Sequence, residues 1–205
     1  MENEVPSRLL YDPDSAESKI YKKLRDLEGI LRRWNKNMNL VSPSNEPLIW
    51  TRHILDSLQM VPQVSEANKV ADMGAGIGFP CIPLAVACPD VNFFAIEPNT
   101  KKSNLTTHLI ADLGLPNVHV LPERVEKVVI SHVDVVCCRA FGEFLRDSQL
   151  AYKMLRPGGL FVTFKSQPED RLPKGFDKIN NLPYRLPQQS KEYYLVVAQK
   201  FSDFD

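Results

Sequence analysis

The sequence predicts an α/β protein on a mostly parallel, seven-stranded sheet that ends in an antiparallel hairpin and is preceded by helices. Three observations carry this. From residue 69 onward, short apolar runs of strand length alternate with helical periods. A glycine-rich stretch separates the first of those runs from the helix after it. The last two extended runs are joined by a short polar loop, which suits a hairpin and not a crossover.

Residues 1–14 hold two prolines and several acids and read as a loose arm. From Ser15 a helical period appears, with Ile20, Leu24, Leu27, Leu31, Trp34 and Met38 at spacings of three and four. Lys22, Lys23, Arg25, Arg32, Arg33 and Lys36 take the other face. Residues 35–44, rich in Asn, Ser and Pro, read as a loop. Ser44 begins a second helix, with Pro47 tolerated in its first turn and Ile49, Ile54, Leu58 and Val61 on its apolar face. We expect residues 1–64 to form an arm and helical extension and residues 65–205 the core, within one compact domain. In the core, strands are expected at 69–73, 91–97, 118–121, 133–138 and 160–165. Helices are expected at 79–87, 100–113 and 143–155, with a short turn at 125–129. Gly114 ends the second of these helices and Pro157-Gly158-Gly159 stops the third. Extended runs at 184–188 and 193–199 form the hairpin. Strand, helix and strand in repetition give a right-handed, Rossmann-like parallel sheet.

The bulk numbers restrict the function classes. No run reaches the roughly 18–20 apolar residues of a membrane span, and no basic stretch leads into an apolar one at the start of the sequence, so a cytoplasmic protein without membrane contact is expected. Cys81, Cys88, Cys137 and Cys138 form no CxxC pair and complete no zinc pattern, so no metal site is expected. Adjacent Cys137 and Cys138 would point to opposite faces of a strand, which disfavours a disulfide. Net charge is zero, yet the body between Lys19 and Lys200 carries 24 basic against 18 acidic residues. That excess is compatible with touching phosphate and does not require it.

The strongest motif is Asp72-Met73-Gly74-Ala75-Gly76-Ile77-Gly78-Phe79-Pro80, which follows a strand and opens a helix. A dinucleotide-binding loop would read GxGxxG, but Phe79 stands at the third glycine position. The DxGxGxG spacing resembles motif I of S-adenosylmethionine-dependent methyltransferases, whose fold is the class I form of this sheet. Such a loop presents backbone to the amino-acid part of the cofactor. Glu97 closes the next strand, where a carboxylate can accept hydrogen bonds from both ribose hydroxyls. The structural alternative is a plain turn at Gly74, Gly76 and Gly78, with Glu97 capping the helix near Asn99. No GxxxxGK[ST] loop is present, which disfavours a nucleotide triphosphatase.

Further stretches carry a closer resemblance. Trp34-Asn35-Lys36-Asn37-Met38-Asn39-Leu40, Arg52-His53-Ile54-Leu55-Asp56-Ser57-Leu58, the glycine loop, and residues 131–141 ending Cys138-Arg139-Ala140-Phe141 resemble the bacterial small-subunit rRNA guanine-N7 methyltransferases, the glucose-inhibited division protein B family. The resemblance runs from about Ser15 to the final hairpin. It implies methyl transfer from S-adenosylmethionine to N7 of guanine 527 of 16S rRNA. It places cofactor contacts at Gly74, Phe79, the backbone of Val125 and Glu126, and Arg139, and it assigns RNA contact to the N-terminal helices and a positive surface. The chain departs from the family at Cys81, where Gly is usual, and at Phe164-Lys165-Ser166-Gln167, where LKG is frequent. The expected partner is 16S rRNA or a small-subunit precursor particle, and a monomer is expected.

Guanine N7 presents a lone pair and has no proton to lose, so the residues need only align the reactants and supply a complementary field. Arg139 ends a strand on the ligand edge and could meet the cofactor carboxylate, phosphate or the guanine edge; its structural alternative is a salt bridge to Glu126 or Asp72. Lys165 ends the next strand and could meet phosphate or simply be solvated. His53 enters the catalytic candidates through the resemblance, whereas Asp56, three residues on, suggests a structural network with His53 or Arg52. Trp34 and Phe141 could stack a flipped guanine, or pack as core. Arg124 and Lys101-Lys102 read first as solvated surface. A nucleophilic role for Cys81, Cys137 or Cys138 is the lesser reading against simple packing. Two alternatives stay open: a methyltransferase acting on another RNA base, a protein or a small molecule, and a non-catalytic RNA-binding or cofactor-binding module.

Overall fold

The computed structural model describes residues 9–202 apart from 16, 39–41 and 45. The first eight residues of the arm, the side chains of Ser15, Ser18, Asn37 and Met38, and Asn39 and Leu40 of the Trp34 run lie outside the described residues.

Helix α1 spans Ser18–Met38 and buries Leu24, Leu27, Ile30 and Leu31. It continues through the stretch predicted to loop from Asn35. The buried Asn35 amide donates to Glu46 Oε2 at 2.9 Å, so this side chain does not compete with the helical backbone as asparagine otherwise does. The second helix does not start at Ser44, whose hydroxyl meets that of Ser42 in a turn. A 3-10 turn at Glu46–Leu48 holds Pro47 and leads into a π-helical stretch, Ile49–Leu55. Short helices α2 (Asp56–Leu58) and α3 (Val61–Val64) follow. Ile49, Ile54, Leu58 and Val61 are buried as predicted; the five-residue step from Ile49 to Ile54 is the repeat of a π-turn.

The core comprises β1 (Lys69–Met73), α4 (Cys81–Ala87), β2 (Asn92–Ile96), α5 (Thr100–Leu113), β3 (Val118–Leu121), β4 (Val133–Cys138), α6 (Phe144–Met154), β5 (Leu155–Lys165), β6 (Phe176–Tyr184) and β7 (Tyr193–Lys200). The sheet order is β3-β2-β1-β4-β5-β7-β6. All neighbours from β3 to β5 pair parallel, and β7 pairs antiparallel with both β5 and β6. Two strands differ from expectation. β5 begins at Leu155, before the Pro-Gly-Gly stop, because Leu155 already pairs with Val133 and a register shift absorbs the extra residues before Leu160 meets Val135. The first hairpin strand is residues 176–184, not 184–188. As an edge strand with one open side it accepts polar residues and Pro183.

Side chains alternate across the sheet. Val70, Val135, Cys137, Val162 and Leu195 join one apolar cluster with Leu24, Leu27, Ile54, Leu58 and Leu84. Ala71, Met73, Val136, Cys138, Phe161 and Val196 join a second with Phe144, Ala151 and Met154. Cys137 and Cys138 therefore face opposite ways, and all four cysteines are buried free thiols. The described part of the arm is tied down, which corrects the loose reading. Gln59 Oε1 accepts from the amides of Leu10 and Tyr11 at 2.7 and 3.3 Å, while its Nε2 donates to the Tyr11 and Leu55 carbonyls. Among the described residues no helix is long and apolar enough to cross a membrane.

Candidate active site at the carboxyl edge of the sheet

The parallel register sets Met73 beside Ile96, Ile96 beside Leu121, Asp72 beside Cys137 and Cys138 beside Thr163. The residues that follow these strands therefore share one rim. The chain reverses direction across the sheet between β1 and β4, the crevice where open α/β sheets collect ligands.

The glycine loop is fastened at several points. Gly74 and Ala75 both donate to the Ile96 carbonyl, at 2.9 and 3.0 Å. Gly76 N–H donates to Glu97 Oε2 at 3.0 Å, and the Thr106 hydroxyl to the Gly76 carbonyl at 3.2 Å. Gly74 and Gly76 have φ of 71° and 61°, the left-handed region. A Cβ on Gly74 would also strike the Phe141 ring, whereas a Cβ on Gly76 would meet nothing within 4 Å, so open space lies over Gly76.

Glu97 is buried and its other oxygen accepts from Asn99 N–H at 2.8 Å. It does not cap α5; Asn99 does, through the amides of Lys101 and Lys102. A carboxylate has about four lone-pair positions. With one backbone donor on each oxygen, Glu97 keeps acceptor capacity for a pair of vicinal hydroxyls. Asp72 is fully buried; its Oδ2 accepts from Cys81 N–H at 3.1 Å and its Oδ1 has no hydrogen-bond partner among the described residues. Burial pushes its pKa up to about 7, against the opposing pull of the Cys81 amide and Arg139.

Arg139 leaves the end of β4 and makes neither predicted salt bridge. Glu126 pairs with Arg146 instead, and Asp72 is bonded to Cys81. Its Nη1 donates to the Arg52 carbonyl at 3.1 Å and lies 3.4 Å from Asp56 Oδ2; its Nη2 lies 3.0 Å from His53 Nδ1. A guanidinium only donates, so His53 Nδ1 accepts and that nitrogen is unprotonated. Burial, with Arg139 and Arg52 nearby, lowers the His53 pKa to about 4. Phe79 meets the His53 ring edge-on at 5.6 Å and the Arg139 guanidinium at 5.7 Å. Asp56 Oδ1 accepts a 2.6 Å hydrogen bond from the buried Tyr184 hydroxyl. The network foreseen around His53 and Asp56 thus exists, but it is built on Arg139 and on Tyr184, which sequence reading had only as a strand start.

Phe141 packs on Gly74, and Ala140 before it has φ of 51°. Lys165 is half-buried with its Nζ 5.8 Å from the Phe144 ring. Val125 and Glu126 open a 3-10 turn in the connection after β3. Trp34 packs partly buried against the first cluster, as core. Arg124, Lys101 and Lys102 are exposed. Burial raises the Cys81 and Cys137 thiols well above their ordinary range and Cys138 to about 12, which disfavours a thiolate nucleophile. Asp147, also unforeseen, is buried on α6 with Oδ1 unpaired. A separate cavity of about 530 Å³, bordered by Gln63, Asp134, Arg156 and Gln199, contains none of the predicted site residues.

Comparison with known proteins gives the family and the fold. The GidB family, described as rRNA small subunit methyltransferase G, matches residues 20–184. Ribosomal RNA small subunit methyltransferase G of Aromatoleum aromaticum is 37% identical over 187 residues, covering 87% of this chain and 89% of that protein. The protein of the same name from Neisseria gonorrhoeae is 34% identical over 194 residues, 92% of each. Among solved structures, the S-adenosylmethionine-dependent methyltransferase SibL in its apo form aligns with a TM-score of 0.62 at 15% identity, over 88% of this chain and 70% of that one. TYW2 of M. jannaschii in complex with AdoMet aligns with a TM-score of 0.57 at 19% identity, over 74% and 76%. The chain belongs to the GidB family, rRNA small subunit methyltransferase G, and is an S-adenosylmethionine-dependent methyltransferase of the class I fold.

Proposed function

We propose that this enzyme methylates N7 of a guanine in 16S rRNA, at position 527 by the family resemblance, acting as a cytoplasmic monomer on the rRNA or on a small-subunit precursor. The observation that carries the reading is the single rim on which the glycine loop, Glu97 and Arg139 meet. The residues fit the cofactor. Open space over Gly76 admits a ligand against backbone, Glu97 has acceptor capacity for ribose hydroxyls, and the unpaired Asp72 Oδ1 is an acceptor for an ammonium group. Gly74, Gly78, Phe79 and the backbone of Val125 and Glu126 complete the contact set. When bound, the cofactor supplies a methyl group activated by sulfonium.

The chain's own groups have little proton chemistry to perform. N7 of guanine attacks through a lone pair, so no base has to remove a proton from it. His53, neutral and accepting from Arg139, orients that guanidinium. Arg139 and Lys165 supply positive charge at the rim for a carboxylate or for phosphate. Alignment and fixed charge are then the main contributions to rate. Incubation of the protein with labelled S-adenosylmethionine and either 16S rRNA or 30S particles, followed by nuclease digestion and mass analysis, should give 7-methylguanosine in a single fragment. Label on an adenine, on an exocyclic amine or on protein would overturn the reading.

A further inference from the structure

We infer that Tyr184, at the end of the edge strand β6, is a positioning residue for Arg139, acting through Asp56. The inference rests on the reading above that Arg139 serves the cofactor or the RNA. Tyr184 is 1% exposed and its hydroxyl donates to Asp56 Oδ1 at 2.6 Å. The other oxygen of that carboxylate faces Arg139 Nη1 at 3.4 Å. One carboxylate is thus shared between a tyrosine 128 residues along the chain and an arginine 83 residues along it.

The arrangement is directional. Arg139 carries rotatable bonds that must be frozen for its guanidinium to meet an anion in one geometry. Here its two terminal nitrogens are held by the Arg52 carbonyl, Asp56 and His53 Nδ1, all from the π-helical stretch and its continuation. Asp56 can hold it only if the carboxylate itself does not rotate. Among the described residues the side-chain donor besides Arg139 that fixes it is the Tyr184 hydroxyl. The tyrosine ring is anchored in turn by stacking on Tyr193 at 5.8 Å, so the β6–β7 hairpin sets the azimuth of the carboxylate. Residues on three separate parts of the chain therefore fix one guanidinium at the crevice between β1 and β4. A tyrosine hydroxyl spent only on stability would not need to face the carboxylate that, among the described residues, pairs with this arginine.

The test is a double-mutant cycle in methyl transfer on Tyr184→Phe and Arg139→Lys, the first of which keeps the stacked ring. Tyr184→Phe should lower kcat/KM about tenfold, Arg139→Lys about a hundredfold, and the double variant should match Arg139→Lys within about twofold, because both act through one group. Losses that multiply, or no loss in Tyr184→Phe, would overturn the inference. A second readout is independent of turnover. In Tyr184→Phe the His53 imidazole NMR signals should titrate at higher pH than in the parent, because its Arg139 partner is no longer held; an unmoved titration counts against the inference. If Arg139→Lys itself retains full activity, the assignment of Arg139 to the reaction falls, and the His53 signal alone then decides whether Tyr184 positions it. Asp56→Asn, which keeps an acceptor for one partner, should reproduce the Tyr184→Phe effect.

Discussion

Buried Asp72 and half-buried His53 both feel the charge of Arg139, and their titrations oppose each other. Burial raises Asp72 to about 7, so between about pH 4 and 7 the folded chain holds a proton that the unfolded chain has lost. Its contribution to stability falls as pH rises through that window. His53 is lowered to about 4 from an ordinary 6.5; its contribution is complete above about pH 6.5 and is lost as pH falls toward 4. The two slopes nearly cancel in the parent protein. Asp72→Asn should therefore show stability rising with pH from about 4.5 to 6.5, and His53→Gln should show it falling, in urea unfolding at a series of pH values. Parallel curves for parent and both variants would show that neither group is shifted. Glu97 belongs to the same scale. Glu97→Ala removes the acceptor for Gly76 and Asn99 as well as the one offered to ribose. It should weaken S-adenosylmethionine binding by calorimetry about 10- to 100-fold, or ~1.4–2.7 kcal/mol; undiminished affinity would remove Glu97 from the cofactor site.

At the scale of elements, sharp local signals coincide with what the chain does. Helix α5 starts at the Asn99 cap and ends at Gly114, whose φ of 57° takes the left-handed C-terminal position. β1 and β4 match their apolar runs because central parallel strands are buried on both faces, whereas β3, an edge strand and only partly buried, matches through its short Val118–Leu121 run alone. The misses share a different cause. Asn35, Gln59 and the edge strand β6 are polar and are satisfied by particular partners, Glu46, the Leu10–Tyr11 backbone and β7 respectively, and a local pattern records only the polarity. The site divides the same way. Asp72, the glycine loop and Glu97 lie within one βαβ unit and were legible by spacing, whereas the chain from Tyr184 to His53 crosses more than eighty residues at each link to Arg139 or Asp56. Two predictions follow from element contacts. Gln59→Ala severs the clasp on the arm and should cost about 1–3 kcal/mol, with faster amide exchange at Leu10 and Tyr11. Gly74→Ala meets both a φ of 71° and the Phe141 ring; it should abolish cofactor binding while Phe141→Ala does not, a comparison made by calorimetry on both variants. Retained affinity in Gly74→Ala would show that the loop can open without its glycine.

Across the whole molecule, a chain of zero net charge has to meet a polyanion, and pairing decides which cations are free to do so. The arginines are largely committed. Arg25 and Arg32 share Glu28, Arg25 also lies 3.8 Å over the Trp50 ring, and Arg146, Arg156 and Arg171 each face a carboxylate. The basic face read along α1 is thus partly internal. On the rim of the site the situation differs. Lys101 and Lys102 are exposed in the first turn of α5, directly after the Glu97–Asn99 corner, and no carboxylate among the described residues forms an ion pair with either. On the proposed function, rRNA entering the crevice is expected to bring phosphate to this corner. Each phosphate neutralised contributes about 0.7 to 0.9 to the slope of log affinity against log salt. Lys101→Ala with Lys102→Ala should lower that slope for rRNA by about 1.4–1.8, measured by fluorescence anisotropy across a salt series, whereas Arg171→Ala, whose partner is Glu169, should leave it unchanged. A slope unaltered by the lysine pair would mean that the RNA backbone crosses elsewhere and that these two charges serve only to solvate the helix.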